Sequence, residues 1–251
     1  MDKAQEKFYK RNSEKFKKYE FQSGGKIISG ESPNFIDYLK TFSNKEFKVL
    51  DLGCGSGELT LKLASYFKEI IGIDPFKEYI NSALRQKNEL NISNVNFIVA
   101  DGKNMPFKSD FFDIIISSRG PLSADLEFMT ESYRVLKKGG LMIEETIGEQ
   151  DKLELKKIFG RGQNYPISLT KLDSVKKLLL KLNLLLINYN YFLYYQEYSS
   201  IDAVLELLER APIIPDFDVI KDKNKINNIE KELGVTNIKL SNHRLHWFAR
   251  K

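Results

Sequence analysis

Cysteine is nearly absent: the 251 residues hold one, Cys54. A lone thiol closes no intrachain disulfide and builds no thiolate metal cluster, and it suits a reducing compartment. Long hydrophobic runs are missing too. The longest apolar passage, Leu182–Tyr195, is broken by Asn183, Asn188 and Asn190. Nothing approaches the roughly 20 apolar residues that span a bilayer. The first residues are charged and carry no apolar stretch, so no secretory leader is expected and the expected location is the cytoplasm. Histidine occurs twice. His243 and His246 stand three apart in a strand-like stretch, hence on opposite faces, and no metal site is expected from them.

What is present is a folding composition. At 42% hydrophobic and 12% aromatic residues the chain has apolar surface enough for a core, which excludes wholesale disorder. The net charge of +5 is a small excess of 39 basic over 34 acidic residues. Beside abundant Lys, Ile and Asn, it reads as compositional bias as much as a surface for polyanions. Nucleic acid stays as the less favoured partner, behind a small molecule.

The pattern along the chain divides in three. Residues 1–31 form an extension in which Phe8, Phe16 and Tyr19 mark an amphipathic helix and Gly24-Gly25 a joint. Ser32-Pro33 reads as the start of a helix carrying Phe35, Tyr38, Leu39 and Phe42. Short apolar runs then alternate with helical segments. Strands are expected at Phe47–Leu52, Ile70–Ile73, Val95–Ala100, Phe112–Ser117 and Leu141–Ile147. Helices are expected near Glu58–Phe67, Lys77–Leu90 and Ser123–Leu136, the last one stopped by Lys137–Gly140. Such βα repeats imply a parallel sheet covered on both faces. The last third reads as a helix at Ser168–Leu182, a tyrosine-rich strand at Asn183–Tyr195, and helices at Ser199–Arg210 and Asp222–Leu233. The final strand is Arg244–Ala249. One domain over residues 1–251 is expected, with its ligand-binding core at 45–150 and a helical insertion at 196–236.

The chemistry concentrates at strand tips. Asp51-x-Gly53-x-Gly55-x-Gly57 follows a strand and opens a helix, so the chain turns sharply and a ligand meets bare backbone. The spacing is not the dinucleotide Gly-x-Gly-x-x-Gly. An acid two residues before the first glycine repels a pyrophosphate and suits a cationic ammonium. Asp74-Pro75 ends the second strand, where an acid commonly accepts from ribose hydroxyls. Asp101-Gly102 ends the third, where Asp101 can accept from an exocyclic amine. Cys54 reads as a small filler.

With VLDLGCGSGELTLKLA, IIGIDP, VNFIVADGKNMPF, FDIIISS and YRVLKKGGLMI, the chain resembles the class I S-adenosylmethionine-dependent methyltransferases over roughly Lys45–Ile147. The likeness is nearest to the ubiquinone- and menaquinone-biosynthesis branch of small-molecule enzymes. It implies an α/β, Rossmann-like seven-stranded sheet of order 3-2-1-4-5-7-6, strand seven antiparallel, with helices on both faces and the helical insertion between strands six and seven. It also implies S-adenosylmethionine as cofactor. Asp51 and Gly53 then lie at its methionine end, Gly55 and Gly57 give it room, Asp74 and Pro75 hold the ribose, and Asp101 and Gly102 meet the adenine. Ser117 and Ser118 face the sulfonium. Acceptor-side candidates follow strands four and five: Arg119, Glu144, Glu145 and Glu149. Glu144 and Glu145 point to opposite faces, so at most one of them faces the pocket. Ser117-Ser118-Arg119-Gly120 replaces the Asn/Asp-Pro-Pro-Tyr/Phe tetrapeptide of many exocyclic-amine methylases. The insertion and the N-terminal helix are expected to form a lid. An RNA methyltransferase and a catalytically silent cofactor-binding protein remain the alternatives.

Overall fold

The computed structural model describes residues 3–14 and 25–251. Five strands run parallel: β2 (Asn44–Leu52), β3 (Phe67–Asp74), β4 (Val95–Val99), β5 (Phe112–Ser118) and β6 (Leu136–Ile147). β8 (Ile238–Arg250) lies antiparallel between β6 and β7 (Leu185–Tyr198). With β2 counted as the first strand, the order 3-2-1-4-5-7-6 and the antiparallel seventh strand are as expected. An eighth strand is added. β1 (Lys26–Ser29) pairs antiparallel with the free edge of β7. It falls in the extension read as helical. Four residues are too few to show a period, and its partners, Gln196 and Glu197, lie at the other end of the chain.

Local boundaries moved for similar reasons. Helix α2 (Phe35–Lys40) starts after Ser32-Pro33, because Asn34 is its cap and accepts from Asp37 N at 3.1 Å. Asp125 caps α5 (Leu126–Val135), accepting from the N–H groups of Glu127 and Phe128. The Lys137–Gly140 stretch is not a helix stop; it belongs to β6, where Gly139 and Gly140 exchange backbone bonds with Lys251. Helix α3 (Glu58–Leu63) ends in one 3-10 turn at Ala64–Tyr66, and α4 (Lys77–Glu89) follows β3. Helix α6 (Leu153–Phe159) was not anticipated; it has no capping side chain at its start. Helix α7 (Lys171–Lys181) begins at the Thr170 cap.

Alternation along the strands splits the core. Leu50, Leu52, Ile71, Ile115, Met142, Leu245 and Trp247 face α5 and α7, where Met129, Leu172 and Val175 meet them. Val49, Ile70, Ile114, Ile116 and Ile143 face α2, α3 and α4, meeting Phe35, Leu39, Leu61 and Ile80. The insertion builds a third core. Val204 and Leu208 of α8 (Ile201–Arg210), Ile229 of α9 (Lys223–Leu233) and Phe217 pack with Leu155 and Ile158 of α6 on Tyr198, Ile238 and Leu240. Helix α1 (Lys3–Glu14) buries Phe8 and packs on α4. Phe16, Tyr19 and Gly24 lie outside the described residues. The tyrosine-rich strand splits by face: Tyr194 and Tyr198 are buried, whereas Tyr189, Tyr191 and Tyr195 are exposed on the other side.

Candidate active site

The loop after β2 is tied to the end of β3, with the N–H groups of Gly53 and Cys54 both donating to Ile73 O at 2.9 and 3.0 Å. Gly53, Gly55 and Gly57 all have positive φ, but their tasks differ. A Cβ on Gly53 would stand 2.8 Å from Pro121 Cδ, and one on Gly57 2.5 Å from Phe97 Cζ and 2.9 Å from Ala83 Cβ. A Cβ on Gly55 would meet nothing within 4 Å. Gly55 therefore borders open space, whereas Gly57 serves helix–sheet packing. Gly102 is likewise packed: its Cβ would lie 2.6 Å from Leu52 Cδ1.

Two buried carboxylates flank this space. Asp51 accepts from Thr60 Oγ1 at 2.6 Å. Burial pushes its carboxyl up to about 7; the Thr60 bond opposes that shift and the Asp74 charge adds to it. Asp74 accepts from Gly55 N at 3.1 Å and Phe76 N at 3.0 Å. Burial raises it to about 6 against those two bonds. Neither acid has an ion-pair partner among the described residues. Pro75 is exposed beside Asp74, and Asp101 is exposed with its side chain accepting from Lys103 N. Cys54 is a neutral thiol, pushed well up by burial and then by Asp51 and Asp74.

The donor set fits S-adenosylmethionine. Two desolvated acids lack a cation, and each carboxylate oxygen of Asp74 retains a lone pair beyond its backbone bond. A ligand with an ammonium and vicinal hydroxyls supplies what both need.

The tips of β5 and β6 carry the other candidates. Ser117 is buried and donates to Leu52 O at 2.9 Å, so its hydroxyl serves the fold. Arg119 holds a left-handed φ of 55°, uncommon for a residue with a side chain. Its N–H donates to Glu145 O at 2.7 Å, and its side chain is exposed. Gly120 behind it leaves no room for a side chain, since a Cβ would sit 2.6 Å from Leu52 O.

Glu144 and Glu145 do point apart. Glu144 is fully buried and accepts from Ser123 N, Ser123 Oγ and Trp247 Nε1, which ties β6 to β8 and the loop before α5. Burial raises its carboxyl, opposed chiefly by the charge of Lys171. Glu145 accepts from Ser118 Oγ at 3.2 Å, and its Oε2 lies 2.9 Å from His246 Nε2. Burial would raise this carboxyl, yet the His246 bond and the Arg119 charge hold it below the usual range. Glu149 accepts from Lys171 N at the start of α7.

His246, set aside in the sequence as no metal ligand, is the partner that folding brings to Glu145. Its ring is walled by Phe192 at 4.8 Å, Phe35 at 4.9 Å and Tyr38 at 5.4 Å between centroids. Burial pushes the Tyr38 hydroxyl up to about 12. The pairing of Glu145 with His246 spans 101 residues and follows from the β6–β8 register. Only the strand order could have announced it. His243 faces the other way, stacked on Tyr191 at 4.8 Å, with Nδ1 accepting from Gln150 N.

The chain is similar to known proteins. Over 97 residues the chain is 35% identical to YcgJ, an uncharacterized methyltransferase of Bacillus subtilis (strain 168), covering 38% of each. Over 116 residues it is 31% identical to the ubiquinone/menaquinone biosynthesis C-methyltransferase UbiE of Rickettsia prowazekii, covering 43% of this chain and 47% of that one. These alignments span less than half of each curated relative. The crystal structure of YcgJ superposes with a TM-score of 0.65 at 18% identity, over 86% of this chain and 97% of that one, which is a likeness of fold. Residues 43–187, from the approach to β2 into β7, match the family described as a methyltransferase domain, and the chain belongs to that family.

Proposed function

We propose that the chain is an S-adenosylmethionine-dependent methyltransferase acting on a small molecule. The observation that carries this reading is the pair of buried, cation-free carboxylates, Asp51 and Asp74, beside the open space at Gly55. Asp51 would receive the amino-acid end of the cofactor, Asp74 the ribose hydroxyls, and Asp101 with Gly102 the adenine edge. When bound, the cofactor supplies an electrophilic methyl on a sulfonium, so the protein mainly aligns the nucleophile and removes water. Ser118, Glu145 and His246 line the acceptor side, where the imidazole takes the acceptor's proton and the ionised Glu145 orients it and stabilises its charge. The quinone-pathway name of the Rickettsia relative supports a small-molecule acceptor. No helix among the described residues is long and apolar enough to cross a membrane.

A lid is part of the proposal. Helix α1 packs on α4, which starts just after Asp74. The Asp218 carboxyl is held down by the N–H of Lys221 and that of Ile220, and Arg11 adds to the effect. Helix α1 would thus lie over the cofactor side, where it can exclude water.

Titration calorimetry with S-adenosylhomocysteine and NADH tests the cofactor, and release of S-adenosylhomocysteine with a panel of small acceptors and with RNA tests the transfer. Binding of NADH alone, or transfer to RNA alone with a steep salt dependence, would overturn the reading. Asp74→Asn should lower S-adenosylhomocysteine affinity roughly 10- to 150-fold, the equivalent of about 1.5–3 kcal/mol for a hydrogen bond to a charged group. A dideoxyribose analogue should bind wild type and variant alike.

The pH dependence has a definite sign. Raised folded values mean that Asp51 and Asp74 hold protons that the unfolded chain has already lost. Their contribution to stability is therefore largest at low pH and falls as pH rises from about 4 to about 7. The ligand needs the ionised forms. Affinity for S-adenosylhomocysteine should rise by about tenfold or more between pH 5 and pH 7.5 and then level off. Flat calorimetric affinities across that range would remove both acids from the site.

A further inference from the structure

Beyond the cofactor cleft, the loop after β6 folds back along β8 and buries three cations. The backbone N–H of Lys152 donates to Ser241 O at 2.9 Å, and Lys152 Nζ donates to Ser241 O and to Asn242 Oδ1. Arg244 pairs with Asp151. Burial alone would raise the Asp151 carboxyl, yet Arg244, Lys152 and Lys156 together hold it at about 2. Lys156 stands one helical turn after Lys152, its N–H donating to Lys152 O at 3.2 Å.

Two donors in this cluster are left over. Lys156 is 1% exposed and Asn242 2% exposed. Neither Lys156 Nζ nor Asn242 Nδ2 has a hydrogen-bond partner among the described residues. None of the acceptors nearby bonds to either donor. Asp151 serves Arg244 and His243 N, Glu154 serves Ser241 N and Oγ, and Asn242 Oδ1 serves Lys152. A buried ammonium without an acceptor is strongly disfavoured, and native proteins seldom leave one so. The two leftover groups, an ammonium and an amide, are both donors, so the missing group is an acceptor; with Lys152, Lys156 and Arg244 set against Asp151 and Glu154, it is one with negative charge. A water would satisfy the hydrogen bonds and leave the charge uncompensated.

The place matters as much as the chemistry. Asn242, Arg244 and His246 are alternate residues of β8, so they share one face and follow each other at roughly 7 Å steps. The cluster therefore continues the acceptor wall from His246 towards the third core, where the Tyr198 ring lies 6.0 Å from Lys152 Nζ.

We propose that Lys156 Nζ and Asn242 Nδ2, backed by Lys152, form a subsite for a carboxylate or phosphate group carried by the methyl acceptor. The oxyanion site stands on the two orphan donors; its assignment to the acceptor rests on the methyltransferase reading above. The first experiment titrates inorganic phosphate, and separately acetate, into the full chain saturated with S-adenosylhomocysteine, at ionic strength held constant with sodium chloride. Wild type should bind one anion. Lys156→Met and Asn242→Ala should each bind at least tenfold more weakly, and Lys156→Arg should recover part of the loss. Anion should also raise the melting temperature of wild type and not that of Lys156→Met. Without anion, Lys156→Met should melt no lower than wild type, because it removes a desolvated charge. Wild type that ignores both anions, or a Lys156→Met protein that still binds them, overturns the site.

A second arm separates an acceptor group from a free ion. Each acceptor that supports S-adenosylhomocysteine release is compared with its neutral methyl ester. The acid should have the lower KM in wild type and lose that advantage in Lys156→Met, with kcat little changed. Equal use of acid and ester, alongside clear phosphate binding, overturns the acceptor assignment. Phosphate binding in a chain that fails to bind S-adenosylhomocysteine overturns the methyltransferase reading and leaves the anion site standing.

Discussion

Gly57→Val is expected to destabilise the protein by about 2–5 kcal/mol. Its backbone sits at φ 82°, where an L side chain costs roughly 1–2 kcal/mol and a β-branched one more. The new Cβ would also stand 2.5 Å from Phe97 Cζ and 2.9 Å from Ala83 Cβ, between β4 and α4. Overpacking of that kind costs typically 1–3 kcal/mol. Melting should fall by roughly 4–20 °C, at about 2–4 °C per kcal/mol for a chain of this size. Gly55→Ala provides the contrast. Its φ of 53° carries the backbone strain, but nothing lies within 4 Å of the new Cβ. It should melt closer to wild type and instead lose affinity for S-adenosylhomocysteine. Equal melting temperatures for the two variants would show that Phe97 swings aside and that Gly57 is not a packing glycine.

That contrast also shows where the sequence was legible. Aspartates and glycines at successive strand tips are local signals, because a strand, a sharp turn and a helix start fit within a dozen residues. The parallel sheet could be read from the same repeats, whereas its strand order came with the family resemblance of the motifs. The division of labour among Gly53, Gly55 and Gly57 could not, since Phe97, Ala83 and Pro121 reach the loop only after folding. Strand β1 escaped notice because its hydrogen bonds go to residues far along the chain. Glu144 and Glu145 were placed on opposite faces by strand alternation alone. What each of them meets depended on the β8 register, which seats Trp247 against Glu144 and His246 against Glu145. The stripe of α8 had to bury against something, and the structure supplies α6, a helix the sequence did not announce.

The same register leads to the second large effect. His246→Asn should lower methyl transfer roughly 100- to 10,000-fold, the usual share of a positioned acid–base group. S-adenosylhomocysteine should bind the variant nearly as well as wild type, because Asp51, Asp74 and Gly55 lie on β2, β3 and the loop between them, across the sheet from β8. The loss should be in kcat more than in KM, since the role proposed for the imidazole is with the acceptor's proton and not with its binding. Asn keeps a side-chain donor for Glu145, so the carboxylate is not left buried without a partner, and the fold should hold. Glu145→Gln should show a smaller loss: the ring stays between Phe35, Tyr38 and Phe192 while its orienting charge is gone. A drop of less than tenfold would make the pair a structural staple between β6 and β8 and move proton transfer to the acceptor itself or to solvent.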